Sequence, residues 1–248
     1  MGHKKFDRQA KGKYITNYFN KDREFYNTIK KHIARAISNK STLGIDIGAG
    51  PGIGAKLLEN LNLNTKLIGF EPSKTWEDGK KLSKRLIKEK KATRYIAKKG
   101  GIQNIRTPTK NLLDYILILR ASHEIAESLG GKRRFFIEVL RIMYGLKESG
   151  FLIIGEPQYS RRRISQKIIK KVQQYQEENI GHYHIPSDYI TAQEMKTVFE
   201  KKGLRLIKET ILPNKKLLNY LKSQGLNLKK APCNFYVQTF QNNIKQNS

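Results

Sequence analysis

Only one of the 248 residues is a cysteine, Cys233. A lone thiol permits no internal disulfide and no cysteine cage for zinc, which suits a reducing compartment, the cytoplasm or an organelle matrix. Long apolar runs are missing too. No stretch of about 20 apolar residues exists to span a bilayer. Met1 to Lys13 has no apolar centre, so it does not read as a secretory signal. Acids are scarce: 21 Asp and Glu stand against 49 Lys and Arg, for a formal net charge of +28. An AT-rich genome inflates Lys, Asn and Ile but does not by itself deplete acids. The charge therefore favours polyanionic partners, RNA or a ribonucleoprotein before a membrane surface. Tryptophan occurs once, yet an apolar share of 38% over this length supports one sizeable core.

The chain does have a glycine-rich turn in an informative place. Leu43-Gly44-Ile45-Asp46-Ile47-Gly48-Ala49-Gly50-Pro51-Gly52 reads as a short apolar strand running into alternate glycines. An apolar-periodic segment, Ile53 to Leu61, then opens a helix. Glycines let a backbone turn sharply and approach a ligand without a Cβ in the way. A turn of this kind between a strand and a helix is where open α/β sheets hold nucleotides.

Further apolar runs predict strands at Thr42–Ile47, Lys66–Phe70, Thr93–Ala97, Leu112–Leu119, Phe151–Gly155, Leu204–Thr210 and Asn234–Gln241. Helical spacing predicts helices at about Lys74 to Lys90, with Ser73 as N-cap, and at Phe135 to Leu146 and Arg161 to Glu178. Thr191-Ala-Gln-Glu194 reads as a capping box opening a helix that ends near Gly203. Phe19, Phe25, Tyr26, Ile29, Ile33 and Ile37 recur at helical spacing, suggesting two helices before the first strand. Alternating strands and helices argue a doubly wound parallel sheet. Residues 1–41 then read as a helical cap or lid, 42–242 as the main domain, and 243–248 as a polar tail.

With these elements placed, the chain resembles the class I S-adenosylmethionine-dependent methyltransferases. The resemblance rests on Asp46-Ile-Gly48-Ala-Gly50-Pro-Gly52 and on the acid Glu71 closing the second strand in Gly69-Phe70-Glu71-Pro72-Ser73. It implies an α/β, Rossmann-like three-layer sandwich: a mainly parallel seven-stranded sheet with an antiparallel C-terminal strand, plus the N-terminal helices. It implies S-adenosylmethionine as cofactor. Asp46, Gly48, Ala49, Gly50, Gly52, Glu71 and Pro72 would bind it, with Glu71 on the ribose hydroxyls and Asp46 near the methionyl amino group. Ala121 and Ser122 would lie beside the methionyl part. Many members carry an adenine-contacting Asp after strand three. Here Lys98-Lys-Gly-Gly-Ile-Gln103 holds no acid, and Gln103 or a backbone carbonyl stands in.

Strand four ends in Arg120-Ala-Ser-His123-Glu124 and strand five in Glu156-Pro-Gln-Tyr159, at the edge where ligands of open sheets bind. His123 is the candidate base, with Glu124 and Tyr159 as further catalytic candidates. Arg120 and the run Arg161, Arg162 and Arg163 are candidates for contact with the acceptor or a nucleic acid. His182 and His184 flank Tyr183, but no carboxylate or cysteine lies at ligand spacing, so no metal site is expected. Between Lys80 and Lys99 lie ten Lys and Arg and one acid, and Lys132-Arg133-Arg134 adds another cluster.

Two other readings stay open. Gly50-Pro-Gly52-Ile-Gly-Ala55, with Glu71 about 20 residues on, also fits a dinucleotide-binding fingerprint. A non-catalytic assembly factor on the same fold would share every motif. Among enzymes, an RNA acceptor fits the charge, and a small-molecule acceptor fits a helical lid.

Overall fold

The computed structural model describes residues 22–37, 41–159, 164–180 and 189–243. A seven-stranded sheet runs through it: β1 (Thr42–Ile47), β2 (Thr65–Glu71), β3 (Thr93–Lys99), β4 (Leu113–Leu119), β5 (Leu146–Tyr159), β6 (Leu204–Pro213) and β7 (Cys233–Asn242). Their order across the sheet is β3-β2-β1-β4-β5-β7-β6. Neighbours from β3 to β5 pair in parallel, whereas β7 runs antiparallel to both β5 and β6. The order reverses between β1 and β4, so the crevice that binds ligands in such sheets opens there, above the carboxyl ends of the strands.

The helices are α1 (Arg23–Ala36), α2 (Ile53–Asn60), α3 (Trp76–Lys88), α4 (Ser122–Ser128), α5 (Lys132–Met143), α6 (Gln166–Ile180), α7 (Ala192–Lys201) and α8 (Lys215–Ser223). β4, Leu-Asp-Tyr-Ile-Leu-Ile-Leu, is buried on both faces, as a near-continuous apolar run demands. On one face, α5 and α7 bring Phe135, Val139, Met195 and Phe199 against Ile116, Ile118 and Ile154. On the other, α1, α2 and α3 bring Ile29, Leu57 and Leu86 against Leu67, Leu117 and Ile153.

The described part of the N-terminal region, α1, is a layer of this second core. Phe25, Tyr26, Ile29 and Ile33, at helical spacing, are at most 2% exposed. Each such side chain contributes roughly 1.5–3 kcal/mol of gross burial energy. Gly155 on β5 makes the seat, because a Cβ there would press within 3.0 Å of Ile29 Cδ1 and 3.2 Å of Phe25 Cζ. His32 fastens the helix to the last two strands: Nδ1 lies 2.8 Å from Thr239 Oγ1 and Nε2 3.0 Å from Thr210 Oγ1. Phe19 and the rest of residues 1–21, where a lid would begin, lie outside the described residues, as does the tail from 244.

Element boundaries differ from expectation where long-range pairing decides. β5 was expected to stop at Gly155, its last partner on β4 being Leu119. It continues to Tyr159 because β7 pairs with it through Cys233. Pro157 is tolerated there because its β4 side is already vacant, so the missing N–H breaks no ladder on that edge. Ser73 does not cap α3. Its Oγ lies 2.8 Å from Thr75 Oγ1, and its amide donates to Glu71 Oε1 at 2.8 Å. The expected capping box forms at α7: the Thr191 amide donates to Glu194 Oε2 at 2.7 Å and the Glu194 amide to Thr191 Oγ1 at 3.2 Å. A small third cluster, with Tyr159, Tyr189, Leu217 and Cys233, packs α6 and α8 beside the carboxyl end of β5. That cluster walls one side of the crevice.

Candidate active site

The turn after β1 is drawn tight by two amides, Gly48 and Ala49, which both donate to the Phe70 carbonyl at 3.0 Å. Gly48, Gly50 and Gly52 all have positive φ, at 70°, 53° and 96°, a region only glycine enters freely. Their surroundings differ. A Cβ on Gly48 would collide with Ala121 Cβ, where the turn touches the β4 loop across the switch point. A Cβ on Gly52 would lie 2.7 Å from Leu82 Cδ2. A Cβ on Gly50 would meet nothing within 4 Å. Two of the glycines therefore serve the protein's own packing, and the middle one faces open space, where a ligand can approach the backbone.

Glu71 links this crest to the end of β2. Its Oε2 accepts from the Gly50 amide and its Oε1 from the Ser73 amide, both at 2.8 Å. An ionised carboxylate has about four lone-pair sites, so each oxygen can still accept a ligand hydroxyl. Pro72 is half-buried beside it, and Ala49 is buried beneath the turn. Asp46 is 1% exposed and no side chain hydrogen-bonds it. Burial pushes its carboxyl up to about 7; the Gly54 amide pulls it down in part, and the Glu71 charge adds to the rise. Gln103 lies in a one-turn helix, Ile102–Asn104, beyond the end of β3, and is exposed.

On the far side of the crevice, Ala121 and Ser122 begin α4 and are both buried. Ser122 Oγ is buried with no hydrogen-bond partner among the described residues. Glu156, on β5 and 1% exposed, reaches across to this helix start. Its Oε1 accepts from the amides of Ala121 at 2.6 Å and Ser122 at 2.8 Å. Its Oε2 lies 3.0 Å from His123 Nδ1. His123 Nε2 lies 3.7 Å from Glu124 Oε1. The ring is 4.9 Å from that of Tyr189, which in turn is 5.4 Å from that of Tyr159. Burial, with the Glu71 and Glu156 charges, pushes the Glu124 carboxyl well above the usual carboxylate range.

The structure thus brings Gly48, Gly50, Glu71, Ala121, Ser122, His123 and Glu124 to one crevice. Arg120 is placed differently from a nucleic-acid contact. At φ 58° it turns its guanidinium to Asp22 and onto the Phe235 ring, 5.5 Å away. Tyr159 is packed in the apolar cluster against Tyr189, 5% exposed, rather than presented to solvent. Arg161, Arg162, Arg163, His182 and His184 lie outside the described residues. Among the described residues no group of three metal-binding side chains occurs, and no helix is long and apolar enough to cross a membrane. Two residues gain importance beyond their sequence reading. The sequence does not single out Tyr189 and marks Glu156 only as the end of a strand, because their partners are distant in sequence.

Neither a family model nor a curated protein matches the sequence. Solved structures match by shape. A putative sarcosine dimethylglycine methyltransferase from Galdieria sulphuraria aligns with a TM-score of 0.60 and 13% identity, over 88% of this chain and 85% of that one. A SAM-dependent methyltransferase from Aquifex aeolicus aligns with a TM-score of 0.53 and 14% identity, over 97% and 98%. The [4+2]-cyclase SpnF aligns with a TM-score of 0.60 and 9% identity, over 87% and 80%. The fold is that of the class I SAM-dependent methyltransferases, Rossmann-like, with the expected seven-stranded sheet and antiparallel β7. Since the same scaffold carries a cyclase, the activity has to be read from the site's own residues.

Proposed function

We propose that the protein is a SAM-dependent methyltransferase acting on a small-molecule acceptor. The observation that carries this is the open crest at Gly50 with Glu71 bonded to its amide. One carboxylate there can take both vicinal hydroxyls of a ribose next to a backbone that offers no obstructing side chain. Asp46 would face the methionyl ammonium, Ala121 and the unpartnered Ser122 hydroxyl would line the methionyl part, and Pro72 and Gln103 would flank the adenine. Glu71 and Glu156, with two acids whose burial favours the protonated form, Asp46 and Glu124, converge on this crevice in a protein of net charge +28, and an entering cation draws those two toward ionisation. That local field suits a ligand bearing sulfonium and ammonium charges. When bound, S-adenosylmethionine supplies an electrophilic methyl group on a good leaving group. The chain's task is then alignment and exclusion of water.

A second reading, an RNA acceptor, rests on the outer charge. Lys80, Lys84, Lys88, Arg94, Lys98 and Lys99 are exposed on α3 and the edge strand β3, although cations on an edge strand also discourage strand-to-strand aggregation. Lys132, Arg133 and Arg134 occupy the first turn of α5, with no acid in that turn, at the helix end that favours anions. We favour the small acceptor because the carboxylates of the crevice would repel a phosphate backbone where the methyl must be delivered. Calorimetry with S-adenosylmethionine, S-adenosylhomocysteine and NAD tests the shared claim: binding of NAD alone would overturn it. RNA binding with a steep salt dependence would favour the second reading.

A further inference from the structure

We propose that Glu156 is the positioning residue that makes His123 the proton acceptor of this site, and that the methyl acceptor is an aliphatic amine. This rests on the methyltransferase reading and extends it. The network has a direction. Glu156 is buried, and its Oε1 already accepts two backbone amides at the start of α4, at 2.6 and 2.8 Å. A group that accepts two amides is held as the acceptor-only carboxylate, like an anion at a helix N-terminus. Its Oε2, 3.0 Å from His123 Nδ1, must then receive a proton from that nitrogen. Nδ1 carries the hydrogen, so Nε2 is the basic nitrogen of the neutral ring. The Tyr189 ring, at 4.9 Å, fixes the plane of the imidazole. A base oriented by a carboxylate in this way follows the logic of nucleophile-activating triads.

The same amide bonds make the device more than a histidine clamp. Ala121 and Ser122 are the residues expected beside the cofactor, and Ala121 touches Gly48 across the switch point. Glu156 therefore sets the base and the methionyl side of the pocket with one side chain.

The acceptor class follows from the charges around Nε2. Glu124 Oε1 is 3.7 Å away, and the Glu124 side chain is 25% exposed. Glu71 and Glu156 both act on Glu124. Tyr189 lies against the ring and Tyr159 lies behind it; Tyr236 on β7 is near enough to feel the Glu156 charge, and Arg120, which acts on Glu124, is ion-paired with Asp22. A hydroxyl would have to develop negative charge near Glu71 and Glu156, the same charges that add to burial in holding Glu124 protonated. An ammonium enters with their help, and its loss of a proton leaves a neutral nucleophile. In the proposed step an R–NH3+ group gives one proton to His123 Nε2. The amine lone pair then forms the bond to the methyl carbon as the carbon–sulfur bond breaks and its electron pair stays on sulfur. The product is R–NH2–CH3+, and the imidazolium returns its proton to solvent.

Two measurements decide the inference. Nitrogen-detected NMR of the intact protein should show His123 with the proton on Nδ1 near neutral pH. Glu156→Gln keeps an oxygen for the amides but offers a donor to Nδ1, and should move the proton to Nε2. A wild-type ring protonated on Nε2 would overturn the positioning role, whether or not any methyl acceptor is known. With labelled S-adenosylmethionine, label should appear on a panel of small primary amines or on lysine-containing peptides, which separates a free amine from a protein-borne one. Label only on RNA or hydroxyl compounds, or on nothing, would overturn the amine class. With the amine substrate, Glu156→Gln should lower kcat at least about 100-fold and remove the low-pH limb of the pH profile. Should Glu156→Gln fold poorly, His123→Gln, which leaves the amide bonds of Glu156 intact, should give the same loss of kcat. Unchanged kcat in a folded His123→Gln sinks the mechanism. Failure of the wild type to bind S-adenosylmethionine would instead strike the parent reading, and the NMR result would stand on its own.

Discussion

A Cβ added to Gly54 would sit 3.0 Å from Asp46 Cγ and closer still to Oδ2. The carboxylate leans on the first turn of α2, the positive end of that helix. At 1% exposure it has nowhere to swing. Gly54→Ala should therefore cost about 1–3 kcal/mol of unfolding free energy, as overpacking typically does, although residue 54 is helical and alanine is the better helix former. Urea titration measures it, and an unchanged or raised midpoint would refute the close packing.

The charge state of Asp46 gives a pH signature for cofactor binding. Its folded pKa, raised from 3.8 to about 7, means that the ligand-free fold prefers the protonated acid. Stability from this site is present below pH 3.8 and is lost as pH rises toward 7. An ammonium beside it favours the ionised form. Affinity for S-adenosylmethionine should thus climb as pH rises through about 7, and Asp46→Asn should flatten that climb. Calorimetry at pH 6 and 8 would show it. A wild-type affinity that falls over that range contradicts the placement.

Gly50 and Glu71 form one recognition element and should fail together. Gly50→Val and Glu71→Ala are each expected to weaken S-adenosylmethionine binding at least tenfold, about 1.4 kcal/mol. Gly50→Ala separates ligand contact from folding. The added methyl meets no protein atom within 4 Å, so only the strain of a positive φ, about 1 kcal/mol, should appear in the melting curve. Full affinity in Gly50→Val would mean that the crest does not face the cofactor.

His32 predicts a loss of stability in mild acid. Burial, with Lys208 and Arg35 nearby, lowers its pKa from 6.5 to about 4. The unfolded chain therefore takes up a proton that the folded chain refuses. The stabilisation is whole above pH 6.5 and drains as pH falls toward 4, by roughly 3 kcal/mol. Asp46 and Glu124 slope the other way, so the comparison must be internal. The stability difference between wild type and His32→Gln should shrink by about that amount from pH 7 to 4. A constant difference would show that folding leaves the proton affinity of His32 unchanged.

The parts of this molecule written in local pattern were legible in the sequence. The β4 run, the glycines after β1 and the Thr191 capping box each announce themselves within about ten residues. The span Ser122 to Ser128 did not announce α4, because seven residues carry too little periodicity to register. The extension of β5 to Tyr159 depends on a strand more than 70 positions away. Glu156 is the sharpest case. Its three partners lie 33 to 35 residues upstream, and nothing in Gly155-Glu156-Pro157 foretells that the carboxylate caps one helix and steers one imidazole. The partners of Arg120, Asp22 and Phe235, were equally hidden, lying 98 residues upstream and 115 downstream.

The position of β7 between β5 and β6 has a consequence for biosynthesis. Among the described residues, the segment of β5 from Glu156 to Tyr159 has a ladder partner only on β7, and β7 is the last of the seven strands to be synthesised. The crevice side that carries Glu156 therefore stays an open edge while the rest of the chain is made, and α1 waits for Thr239 before His32 can be fastened. A nascent or truncated chain that lacks Cys233–Asn242 would hold a formed glycine crest beside an unfinished wall, exposing Ile153 and Phe25 to chaperones and proteases. Completion of the crevice wall is thus tied to the synthesis of β7.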